Sequence, residues 1–126
     1  MERITEFEIG GRSFPLNFSV RAAELFAERY GDVSEIGKAF EGENTAKMLS
    51  EFTWILFVLI EQGCAYKNLV ENENLDAPTF DDLKVIVGLQ DLLARRDELM
   101  RAIVSGMETT VEAEVDSKNA ETTQGK

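Results

Sequence analysis

Chemistry in this chain would have to come from carboxylates, one thiol and scattered hydroxyls, because it has no histidine and a single cysteine, Cys64. A Ser-His-Asp triad is therefore impossible, and no G-x-S-x-G elbow is present. Asp81-Asp82 is the nearest pair of acids that could hold a cation or share a proton. Neighbouring helix residues point about 100° apart, so the two do not converge on one ion. Their place in a first helical turn suits the helix dipole instead. No D-x-D-x-D-G calcium loop occurs. Gly10-Gly11 lacks the G-x-x-x-x-G-K-S/T frame of a phosphate loop and reads as a turn. Cys64 has no disulfide partner within the chain, and its only close cation is Lys67, so it reads as apolar filler. We therefore expect no enzyme activity, no metal and no cofactor.

Composition narrows the partners. The chain has 126 residues, 44% of them hydrophobic, and a formal net charge of -11. That length suits one domain with a small core. Phosphate backbones and anionic membrane surfaces would repel it, so neither nucleic acid nor membrane is expected as a partner. Neutral or basic proteins are. MERITEFEIGG lacks the tripartite pattern of a signal peptide. The longest apolar run, Trp54 to Ile60, is far short of the ~20 residues that span a bilayer.

The elements follow from periodicity and punctuation. Ile4 to Ile9 reads as a strand with Phe7 and Ile9 on one face, and Gly10-Gly11 as a tight hairpin turn. Ser13 to Phe18 is a second strand with Phe14, Leu16 and Phe18 on one face. Pro15 puts it at an edge, or paired on one side only. Ser19 caps a helix over Val20 to Tyr30, which Gly31 stops. Asp32 to Phe40 is a short helix weakened by Gly37. Thr45 opens the main helix, with Met48, Leu49, Phe52, Ile55, Leu56, Leu59 and Ile60 at helical spacing. Gly63 bends or ends it, and Cys64 to Glu73 continues as a shorter helix. Thr79 and Asp82 have capping-box spacing ahead of a helix over Phe80 to Val87, with a kink at Gly88. Leu89 to Met107 is amphipathic through Leu89, Leu92, Leu93, Leu99, Met100, Ile103, Val104 and Met107. Asp91–Arg95 and Asp97–Arg101 are expected ion pairs. The fold class is mainly α within α+β: an N-terminal β-hairpin packed on a small helical bundle, as one domain over 1–107. Residues 108–126 lose periodicity and read as a disordered acidic tail.

Trp54 to Ile60 is apolar on every side, which demands burial on every side. A small domain seldom surrounds a helix completely. Most of the run reads as central core, with Trp54, Phe57 and Val58 as an exposed, partner-binding side opposite Phe52, Ile55 and Leu59. Met100 and Met107 would extend that surface with adaptable thioethers. On this reading Val58→Asp spares the fold, whereas Leu59→Asp unfolds it.

The start of the chain, with a first strand ending Ile9-Gly10-Gly11, a second strand S-F-P-L-N-F and the run S-V-R-A-A-E-L-F-A-E-R-Y-G, resembles the tail assembly chaperones of long-tailed bacteriophages. The positions that carry the resemblance are Ile9, Gly10, Gly11, Phe14, Leu16, Phe18, Ala22, Leu25, Tyr30 and Gly31. From Thr45 to Met107 the layout is also similar: a very apolar helix, an acidic loop and a final amphipathic helix. The resemblance implies a non-enzymatic protein that binds and solubilises the helical tape-measure protein and helps recruit tail-tube subunits. It implies work in the host bacterial cytoplasm, many copies along one client, self-association, and absence from the finished virion. The family often carries a frameshift-extended form, and Gly125-Lys126 is compatible with slippery purine-rich codons. The alternative is a structural or adaptor protein of a phage or other assembly, again acting through protein binding.

Overall fold

The computed structural model describes residues 4–40, 45–101 and 103. The chain runs β1 (Thr5–Ile9), β2 (Arg12–Leu16), α1 (Val20–Tyr30), a 3₁₀ helix (Val33–Phe40), α2 (Thr45–Val70) and α3 (Phe80–Ile86). A further helix, α4, covers residues 89–101, and Ile103 is also helical. The expected hairpin on a helical bundle is what forms. The tail over 108–126 lies outside the described residues.

The two strands pair antiparallel, with Phe7 opposite Phe14 and Ile9 opposite Arg12. Gly10 and Gly11 both take positive φ, 58° and 78°, as a two-residue hairpin turn requires. Ser19 caps α1, its hydroxyl accepting the Ala22 amide. Its own O–H donates to Gln62 at 2.7 Å, which ties the start of α1 to α2. Gly31 ends α1 at φ 84°. At the far end Arg29 and Tyr30 both reach Glu51 of α2, so α1 lies antiparallel along it.

Two expectations about α2 need correction. It is one continuous helix from Thr45 to Val70, so Gly63 neither ends it nor starts a second one. Gly63 is instead a point of contact. A Cβ there would sit 1.9 Å from the Pro15 carbonyl oxygen, so the missing side chain lets α2 meet the backbone of β2. The Asn17 amide donates to the Leu59 carbonyl at 3.1 Å in the same seam. The second correction concerns burial. Phe52, Ile55, Leu56, Val58, Leu59 and Ile60 are all buried, so the domain surrounds this helix almost completely. By length and composition α2 would also pass as a membrane span, and 56% of its most apolar stretch is buried within the domain.

The core joins both strands to the helices through Phe7, Phe14, Phe26, Ile36, Leu83 and Leu99, among others. Glu51 is a polar clamp at its edge. It accepts from Arg29 Nε at 2.8 Å and from Tyr30 Oη at 2.5 Å. Burial would raise its pKa, but the hydrogen bonds from Arg29 and Tyr30 outweigh that and hold the carboxyl below its ordinary range. A folded pKa below the unfolded one gives stability that is complete above about pH 4.3 and is lost as pH falls through the folded value. Glu51→Gln is accordingly expected to lower the melting temperature at pH 7 and to flatten the acid limb between about pH 5 and 3. Circular-dichroism melts across that range check it. Parallel acid limbs for the two proteins would remove Glu51 as their source.

Candidate functional site

The sequence placed the partner surface on Trp54, Phe57, Val58, Met100 and Met107, and the structure does not make the first four of these one exposed face. Val58 is only 1% exposed and belongs to the core. Its expected exposure is wrong because the hairpin and the 3₁₀ helix pack on α2 as well as the other helices do. Trp54 is half-buried. The Arg29 guanidinium lies 4.3 Å from its ring centre, and the Phe26 and Tyr30 rings meet it edge-on at 5.8 and 6.1 Å. Phe57 is half-buried beside Phe80, ring centres 5.9 Å apart. Met100 is half-buried, and its methyl group faces Gly37 of the 3₁₀ helix. Met107 lies outside the described residues.

The exposed large apolar side chains among the described residues are Val20 at the start of α1, Leu69 and Val70 at the end of α2, and Val85, Leu89 and Leu93 on α3 and α4. Thr79 caps α3 in a complete capping box. Its hydroxyl accepts the Asp82 amide at 3.0 Å, and Asp82 accepts the Thr79 amide at 3.4 Å. Leu83 is the fully buried anchor of this short helix. The helical path breaks after Ile86, where Val87 turns extended. Asp91 then accepts the Gly88 amide at 3.1 Å and starts α4. Asp91 is thus a cap acceptor, and Arg95 pairs with Glu98 at 2.8 Å, where the sequence suggested an Asp91–Arg95 pair.

α4 turns Leu92, Leu99 and Ile103 into the core. Leu89 and Leu93 stand one face further round and remain 58% and 64% exposed. Val85 on α3 is 85% exposed. Leu89 and Leu93 lie one helical turn apart on α4, whereas Val85 stands before the break at Val87 and is not aligned with them by spacing. Val85 also edges a shallow groove of about 430 Å³, lined with Arg12, Asp76, Ala77, Pro78, Asp82 and Ile86. An apolar wall with carboxylates at the rim suits an amphipathic helix whose polar flank is basic.

Two sequence-level candidates for reactive chemistry, Asp81-Asp82 and Cys64, can be placed among the described residues. No group of three or more metal-ligating side chains occurs there. Cys64 is buried, and burial pushes its thiol up despite the opposing charge of Lys67. That makes it a poor nucleophile.

Comparison with known proteins finds no matching family model, no matching curated protein and no matching solved structure.

The sequence analysis missed Leu89 and Leu93 as surface residues because they fit the same helical period as the core. The signal was present in the width of the stripe. Leu92, Leu99, Leu89 and Leu93 span about a third of the helix circumference, wider than one narrow seam buries. Val85 carried no such signal, since the break at Val87 decides which way it faces.

Proposed function

We propose that this chain is a protein-binding assembly factor of the phage tail chaperone kind, which covers apolar helices of the tape-measure protein while a tail is built. The observation that carries this reading is the exposed pair Leu89 and Leu93 on α4, together with exposed Val85 at the edge of a groove lined in part by Asp76 and Asp82. Large apolar side chains held in water on a folded acidic domain favour a partner that supplies the missing apolar contacts. The net charge of -11 keeps the chaperone dispersed and favours clients with basic flanks. The resemblance at the start of the chain supplies the identity of the client. On this reading the protein works in the host cytoplasm, uses no nucleotide and leaves before the virion is complete. Recruitment of tail-tube subunits, through a frameshift-extended form, belongs to the same proposal.

Co-expression with the tape-measure protein is the test. The wild-type chain should keep that protein soluble, and the Leu89→Ser/Leu93→Ser double variant should fold but lose the effect. A tape-measure protein that stays insoluble in both cases counts against the client. Equal rescue by both proteins counts against this surface. If the chain itself is found in purified particles, it is a structural component and not a chaperone.

A further inference from the structure

Among the described residues the hairpin is a two-stranded sheet with no third strand on either edge. Ile9 and Arg12 flank a two-residue turn, and in such hairpins that flanking pair is hydrogen-bonded, with bonded and non-bonded pairs alternating beyond it. Phe7–Phe14 and Thr5–Leu16 are then ladder pairs. Glu6 and Glu8 on β1, and Ser13 and Pro15 on β2, direct their backbone groups outward. Asn17, the next in that series, donates its outward amide to Leu59. The β2 edge is thus closed by α2: Pro15 has no N–H to offer, and its carbonyl abuts Gly63. The β1 edge is different. Neither the Glu6 nor the Glu8 amide has a backbone partner among the described residues.

A row of outward N–H and C=O groups is a template for an added strand. The side chains beside it choose the occupant. Glu6 and Glu8 are both exposed and both acidic. A second copy of this chain would bring its own Glu6 and Glu8 against them, and like charges directly opposite each other in a sheet are destabilising. An extended segment with Lys or Arg at alternate positions would gain from the same pairing. Glu6 is partly engaged already, accepting from Ser13 Oγ at 2.8 Å and lying 3.4 Å from Lys67 Nζ. Glu8 is therefore the stronger selector. Arg95 on α4 pairs directly with Glu98 and feels the charge of Glu8 only at longer range.

We propose that the outer edge of β1 accepts an extended basic segment of a partner protein as a third strand of the sheet. The inference rests on the β1 backbone and its flanking carboxylates, and stands whether or not the exposed leucines of α4 bind a tape-measure helix.

The test uses the full chain, labelled with nitrogen-15, and two capped hexapeptides: one alternating lysine with valine, the other glutamate with valine. Amide hydrogen exchange is read at each residue. In the free chain Glu6 and Glu8 should exchange at least about tenfold faster than Phe7 and Ile9, as open edge groups do. The lysine peptide should slow Glu6 and Glu8 severalfold, and the glutamate peptide should not. Glu8→Lys should reverse that preference. Glu6→Pro should abolish protection at Glu8 while keeping the ladder, since position 6 points outward like Pro15 opposite it. The proposal is overturned by edge amides already protected in the free chain, by equal protection by both peptides, or by protection by neither. Protection that grows with protein concentration alone would mean that a second copy is the occupant, which also overturns it. If Glu6→Pro unfolds, the peptide pair and Glu8→Lys still decide.

Discussion

Replacing Gly63 by alanine is expected to lower the melting temperature by about 12 °C or more, the largest steric effect of an added Cβ among the described glycines. The Cβ would lie 1.9 Å from the Pro15 carbonyl oxygen and 2.4 Å from its carbonyl carbon. Both are backbone atoms, so no rotamer change relieves the clash, and either the hairpin or the helix must move. Overpacking costs typically 1–3 kcal/mol and occasionally more, and the upper end (about 3 kcal/mol) applies where backbone must yield. In a domain of this size each kcal/mol is worth roughly 4–8 °C. Gly37→Ala is the control. Its Cβ would meet only the Met100 methyl, at 4.0 Å, an ordinary contact. Its effect should stay within about 1 kcal/mol. Thermal melts of the two variants beside the wild type make the comparison. An unshifted melting temperature for Gly63→Ala would mean that α2 and β2 do not meet as described.

Val58→Asp is expected to unfold the domain as thoroughly as Leu59→Asp. The two residues are 1% and 2% exposed and both belong to the hydrophobic core. An unpaired charge forced into such a place costs several kcal/mol, comparable with the whole stability of a small domain. Leu93→Asp should behave oppositely. That side chain is 64% exposed, and surface changes of this kind usually stay within about 0.5 kcal/mol. Soluble yield and urea midpoints of the three variants check this. A folded Val58→Asp protein would return the partner surface to the middle of α2.

Much of the architecture could be read from local chemistry. Gly10-Gly11, Ser19, Gly31 and the Thr79–Asp82 box each act within a few residues of themselves, and each does what its residue type dictates. Alternation gives the buried face of β1, but β2 buries Phe14, Pro15 and Leu16 in succession because α2 also closes its edge. What could not be read was decided by contacts between distant segments. The Trp54–Ile60 run states that it is apolar all round, but not whether a small chain can surround it. The hairpin, α1, the 3₁₀ helix and α3 together do so, and Val58 went from surface to core. Gly63 looked like a helix breaker because its reason for being glycine lies at Pro15, far away in the sequence. Leu89 and Leu93 looked like core because their period matches that of Leu92 and Leu99. Only the pose of α4 on the domain separates the two sets.

The notch at Gly63 also bears on how the chain reaches its native state. A two-stranded hairpin is marginal in water by itself, and a helix as apolar as α2 has no soluble life outside a core. The Pro15–Gly63 seam makes each the support of the other, across most of the first half of the sequence. Such a pairing raises the contact order and slows the search, because a long loop must close before either partner gains anything. It also makes the strands and the centre of α2 a single cooperative opening unit, a foldon whose deepest amides should exchange only by global unfolding. Refolding should therefore show no stage with a formed hairpin and an unformed helix. A methyl group at position 63 would be felt chiefly in whichever rate, folding or unfolding, records the closing of that seam.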